Sequence, residues 1–146
     1  MNTIAFRVAA ALWVIWGLVH ILAGVFTLTL APAAAFAGIA DAVDPAALVM
    51  DYPDAVGAVL KQHGWNLGWI GLTTLVCAPF IWKGRAQAIF LAALVGGMAD
   101  LGYFLFMDLG GFVRFAPGTV MTIFSASAII LSFWAHFANA RADTAR

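Results

Sequence analysis

Asp100 is the residue whose placement in this chain costs most. It lies within Ala86 to Met107, an apolar stretch of 22 residues. A carboxylate near the middle of a membrane-spanning helix costs about 2.5 to 3.5 kcal/mol on insertion scales, so by default it faces the protein interior and has a partner. His20, in the first apolar stretch, is the most economical partner the sequence supplies. A carboxylate beside an imidazole in low dielectric lowers the cost of both charges or holds one proton between them, as in proton relays and general acid and base sites. If the chain is an enzyme, Asp100 and His20 are its catalytic pair.

The elements that must position them are set by composition. Of the 146 residues, 64% are hydrophobic and only 10% charged, whereas soluble proteins carry roughly a quarter charged residues. That balance marks an integral membrane protein. A spanning helix needs about 20 apolar residues, so the chain has room for four spans in one domain. We place them at Val8 to Leu30, His63 to Trp82, Ala86 to Met107 and Gly118 to Ala138. Ala35-Phe36-Ala37-Gly38 resembles a signal-peptide cleavage site, but the apolar run before it is too long for a signal sequence and carries two Trp and a His. The formal net charge is zero, and with no basic cluster nucleic acid is excluded as a partner. The single cysteine, Cys77, falls inside a span and cannot form an internal disulfide.

Residues 31 to 62 make a long first outer loop holding four of the seven aspartates. Asp44-Pro45 reads as an N-cap followed by proline at the first helical position, opening Ala46 to Met50. Asp54 reads as the cap of a second helix, Ala55 to Gln62, which runs toward span 2 and lies on the membrane surface or covers the bundle. Pro79 should kink span 2 near its end. Lys83-Gly84-Arg85 is a very short turn that makes spans 2 and 3 antiparallel neighbours. With both termini cytoplasmic, the inner side carries Arg7, Lys83, Arg85, Arg141 and Arg146 and the outer side only Lys61 and Arg114, in keeping with the positive-inside rule. The expected fold is therefore an all-α membrane protein. Its four transmembrane helices form an up-down bundle in the cytoplasmic (inner) membrane, N-in and C-in, with a partly helical outer loop. A long first outer loop and a tight basic turn between spans 2 and 3 resemble the layout of small DoxX-like membrane proteins, in topology alone.

Helical spacing of three and four residues tests whether polar atoms share an interior. Trp13, Gly17, His20, Gly24 and Thr27 follow it in span 1, Gln62, Asn66, Trp69, Thr73 and Cys77 in span 2, and Gly96, Asp100, Tyr103 and Met107 in span 3. Gly118, Thr122, Ser125, Ile129, Ser132 and His136 follow it in span 4, while Gly64, Gly68 and Gly71 form a separate small-residue stripe. Glycine and serine at such positions serve close helix approach. At a rise of about 1.5 Å per residue, His20, Asp100, Asn66 and Ser125 fall roughly 18 to 24 Å from the inner ends of their spans, and Thr122 and Tyr103 roughly 24 to 26 Å. They occupy one layer in the outer half of the membrane. On the same rise His136 sits only about 3 Å from the inner end.

That layer, walled by Trp13, Trp16 and Trp69, suits a pocket for an apolar molecule with one polar end. Asp100 and His20 would anchor it, with Asn66, Tyr103, Thr122 and Ser125 assisting. His20, His63 and Asp100 offer nitrogen and oxygen ligands, but no His-xxx-His or Glu-xx-His pair exists, so no metal is assigned and the cofactor stays unknown. No serine-hydrolase elbow, phosphate loop, dinucleotide fingerprint or Cys-xx-Cys motif is present. The leading expectation is a small membrane protein that binds a lipid-like or small hydrophobic ligand. Two alternatives keep the same residues: a membrane-embedded isomerase or hydratase using Asp100 and His20 for proton transfer, and a structural accessory subunit. The partners considered are the lipid bilayer, that ligand, and a homo-oligomeric or larger membrane complex.

Overall fold

The computed structural model describes residues 3–144, and within them the chain is helical without a strand. Helix α1 spans Thr3–Thr29, the short α2 Pro32–Ile39, α3 Asp54–Trp82, α4 Ala86–Tyr103 and α5 Val120–Thr144. Four helical stretches are long and apolar enough to cross a membrane: Ile4–Thr29, Asp54–Trp82, Ala86–Asp108 and Phe115–Ala142. They make the chain a multi-pass membrane protein.

Several boundaries differ from the sequence reading, each for a local reason. The helix read over Ala55 to Gln62 runs straight into span 2 as one continuous helix from Asp54, so this segment forms the first turns of α3, and Val59 there is well exposed. Asp54 sits in the first turn with Pro53 as the N-cap residue and no side-chain cap bond. Asp44 caps as expected, its carboxylate accepting from the Ala46 amide at 2.9 Å, but only a 3-10 turn follows, Pro45–Leu48. The element the loop reading omitted is α2, with Pro32 in its first turn and an alanine-rich body. Proline suits that position because its missing N–H is not needed there. The α4 helix ends in a wider π turn, Phe104–Asp108, in which the Leu109 amide donates to the Phe104 carbonyl at 3.0 Å. A second π turn, Phe115–Thr119, precedes α5, with Ala116 extended inside it.

Glycines fix how the helices meet. A β-carbon on Gly17 would stand 2.7 Å from the Gly71 carbonyl oxygen, and one on Gly24 2.6 Å from that of Gly64. These pairs run in opposite order along α1 and α3, so the two helices are antiparallel at backbone contact, as small residues permit. Gly68, between those two α3 glycines, faces open space. The Trp13 ring lies against Gly96 of α4, and Ile129 of α5 against Gly97. At the α3–α4 turn Gly84 has φ +69°, a left-handed conformation that costs other residues about 1 to 2 kcal/mol.

The molecule is packed unevenly along its length. Toward the α3–α4 turn, Trp13, Trp16, Ile81 and Ile89 are fully buried among Ala9, Ala92, Ala128 and Ala135. Toward the other end the same helices separate around a cavity, and α2, packed on α1 and α3, forms its roof.

Candidate functional site

The cavity holds about 610 Å³ and is mostly apolar, within the range of about 300 to 1,000 Å³ usual for small-molecule sites. Phe26 and Leu30 of α1, Leu67 and Ile70 of α3, and Met107 and Met121 beyond them supply its apolar wall. Ala35, Gly38 and Ile39 of α2 close it from above. His20 and Asp100 lie at its deep end, and Asp41, His63, Asn66 and Tyr103 also line it.

Asp100 is buried at 4% exposure, and its nearest donor is a residue the sequence reading cast otherwise. Trp16 Nε1 donates to Asp100 Oδ2 at 2.8 Å across 84 residues of sequence. His20 Nε2 stands 3.9 Å from Asp100 Oδ1, within ion-pair reach but beyond a direct hydrogen bond. Trp16 also holds His20: its carbonyl oxygen is 2.8 Å from His20 Nδ1, and the two rings stack with centroids 3.5 Å apart. A carbonyl oxygen can only accept, so the ring proton of His20 sits on Nδ1. A neutral His20 therefore turns the lone pair of Nε2 toward Asp100. This constellation follows from α1 alone for its first half, because residues 16 and 20 are one turn apart on the same face. Ser125 is buried and its hydroxyl donates to the Thr122 carbonyl at 3.1 Å.

Of the nine residues expected around the ligand, His20, Asn66, Asp100 and Tyr103 line the cavity. The other five stand elsewhere. Trp13 and Trp16, expected as walls, are core residues beneath the cavity, touching each other edge to face at 5.5 Å. Trp69 is 44% exposed and turns its N–H to Asn66 Oδ1 at 3.1 Å. Ser125 is buried outside the cavity lining, its hydroxyl spent on the Thr122 carbonyl. Thr122 serves a different carboxylate: with Thr119 it donates to Asp108, at 3.1 and 2.5 Å respectively. The π turn before Asp108 is what brings that side chain back over the start of α5.

Two ionisable residues of the cavity were absent from the sequence-based pocket. Asp41 follows α2 and accepts from the Arg114 amide at 2.7 Å, while the Ala42 amide donates to the Phe112 carbonyl at 3.1 Å, joining the roof to the α4–α5 connector. No motif or spacing marks Asp41. His63, which the sequence puts at the top of the same outer layer, roughly 28 Å up, and offers as a metal ligand, lies one turn before Asn66 on the cavity face of α3. Among the described residues, no three His, Cys, Asp or Glu side chains gather closely enough to hold a metal ion.

No family model matches the chain, nor does any curated protein or solved structure.

Proposed function

We propose that this chain is a membrane-embedded binding protein that takes up a lipid-like or other small hydrophobic molecule in the cavity between its four long helices. The observation that carries the reading is the cavity itself: about 610 Å³ of mostly apolar space lined by the buried Asp100 and the half-buried His20. An apolar wall with a few convergent polar groups is the ordinary form of a small-molecule site. The four helices form an up-down bundle across the cytoplasmic membrane with both termini inside, following the distribution of basic residues. The cavity then opens within the outer half of the bilayer, where an apolar ligand partitions.

The test is mass spectrometry of lipid extracts and of the intact protein released gently from nanodiscs. A molecule retained in one-to-one ratio, and lost on Ala23→Phe or Ala99→Phe, which place a ring in the cavity, supports the reading. Equal retention by the filled and unaltered proteins overturns it.

A second reading is proton transfer on an apolar substrate. It is favoured by one specific arrangement: Asp100 Oδ1 and His20 Nε2 face each other at 3.9 Å at the cavity's deep end, so a substrate seated there meets two groups able to exchange a proton.

A further inference from the structure

We infer that the cavity selects molecules whose polar end is a protonated amine, carried on an apolar chain; this rests on the binding reading above and names its ligand class. The argument is a hydrogen count at the cavity's deep end. Trp16 supplies one N–H, and Asp100 Oδ2 takes it. His20 has spent its own ring proton on the Trp16 carbonyl, and the Ser125 hydroxyl has spent its hydrogen on that of Thr122. What the cavity floor presents is therefore two acceptors side by side, Asp100 Oδ1 and the Nε2 lone pair of neutral His20, 3.9 Å apart. At that separation they cannot bond each other directly. A single atom bearing two hydrogens, about 2.8 to 2.9 Å from each, satisfies both.

Charge narrows the choice further. Among the described residues no lysine or arginine lines the cavity, whereas two carboxylates do, those of Asp41 and Asp100. A carboxylate or phosphate headgroup would meet like charge and two lone pairs. A ketone or quinone oxygen would bring a third acceptor to this pair; the Asn66 amide and Tyr103 hydroxyl, which also line the cavity, can donate to it, but both floor acceptors would stay unpaired. An alcohol carries one hydrogen and satisfies one of the two acceptors. An ammonium group carries the needed hydrogens and the opposite charge, and charge-assisted hydrogen bonds are roughly twice as strong as neutral ones. The Thr27 hydroxyl on the wall follows the same pattern, since its hydrogen already goes to the Ala23 carbonyl at 2.8 Å.

Three probes of equal chain length separate the possibilities: dodecylamine, dodecanol and dodecanoate, each titrated onto the full chain in nanodiscs of zwitterionic lipid. Equilibrium binding of the radiolabelled compounds is the readout. Binding by the Ala99→Phe protein is subtracted as membrane partitioning. We expect cavity binding of dodecylamine at least tenfold tighter than dodecanol, with dodecanoate weakest. Asp100→Asn, which keeps the acceptor for Trp16 but turns an amide donor toward His20, should remove that tenfold preference and leave dodecanol binding in place. If dodecanol or dodecanoate binds in the cavity as tightly as the amine, the headgroup assignment fails while the cavity reading stands. If none of the three exceeds the Ala99→Phe background, both fail. Should Asp100→Asn not fold, the ranking of the three probes on the unaltered protein decides alone.

Discussion

Alanine at Gly71 and alanine at Gly68 should have opposite effects, although the two glycines lie one turn apart on the same helix. A β-carbon at Gly71 would stand 2.5 Å from the Gly17 carbonyl oxygen and 3.1 Å from both His20 Cβ and Ile21 Cγ1. Two of those three neighbours are side-chain atoms held in a packed interface, and the nearest is backbone, so α1 must move away by several tenths of an ångström. Overpacking of this kind costs about 1 to 3 kcal/mol. At Gly68 the same β-carbon meets nothing within 4 Å. Alanine there should only gain helix propensity, about 0.8 to 1.0 kcal/mol relative to glycine in the host systems where it is measured. The propensity gain is common to both sites and cancels in the comparison, leaving Gly71→Ala less stable than Gly68→Ala by about 1 to 3 kcal/mol. Reversible unfolding in mixed detergent micelles, followed by circular dichroism, measures that difference. Because His20 is carried on the α1 face that Gly71 touches, Gly71→Ala should also weaken binding in the cavity, whereas Gly68→Ala should not. Equal destabilisation by the two substitutions would refute the backbone contact between α1 and α3 on which the argument stands.

Three other outcomes follow from single contacts. Trp16→Phe removes the donor to Asp100 Oδ2 and should cost about 1 to 3 kcal/mol for the buried oxygen left unpaired; the same change made in an Asp100→Leu background should cost measurably less in the same unfolding assay. Thr119→Val together with Thr122→Val strips Asp108 of both hydroxyl donors and should lower stability by about 0.5 to 1.5 kcal/mol for each bond lost, read as a drop in thermal midpoint. Asp41→Ala should leave the α1–α3 interface intact but speed amide exchange at Arg114, whose N–H loses its acceptor, and hydrogen–deuterium exchange mass spectrometry resolves that segment.

The four long helices were legible because apolar runs of spanning length are the strongest signal a sequence carries. The meeting of Asp100 with His20 was legible in part. Cost demanded a partner for the aspartate, and rise per residue put the histidine at its depth. What neither argument could supply was the indole of Trp16 between them. Spacing assigns a residue to a face, but whether Trp16 fills a wall or donates a hydrogen bond depends on its rotamer and on the neighbour's, which no periodicity encodes. Depth arithmetic gives Thr122 a level but no partner. The π turn at Phe104–Asp108 closes the end of the third span, and Asp108 accepts from Thr119 and Thr122. The glycine stripe of α3 was legible as small, but only the position of α1 distinguishes Gly64 and Gly71, whose β-positions point into it, from Gly68, whose backbone lies near Gly24 but whose missing β-carbon faces open space. The roof was missed because α2 is eight residues long and carries no polar cap bond to announce its start.

Trp16 touches both functional groups at once: its indole N–H goes to Asp100, its carbonyl to His20, and its ring lies under the imidazole. One consequence concerns how such a site changes over generations. The carbonyl survives any substitution at position 16, so His20 can keep its tautomer through drift, and an aromatic replacement keeps a stacking ring, but the N–H is lost with the indole. Chains descended from a common ancestor with this one should therefore exchange Trp16 and Asp100 as a pair, while tolerating independent change at His20. Where a related sequence has lost its intramembrane aspartate, the tryptophan one turn before the histidine is the first residue to examine.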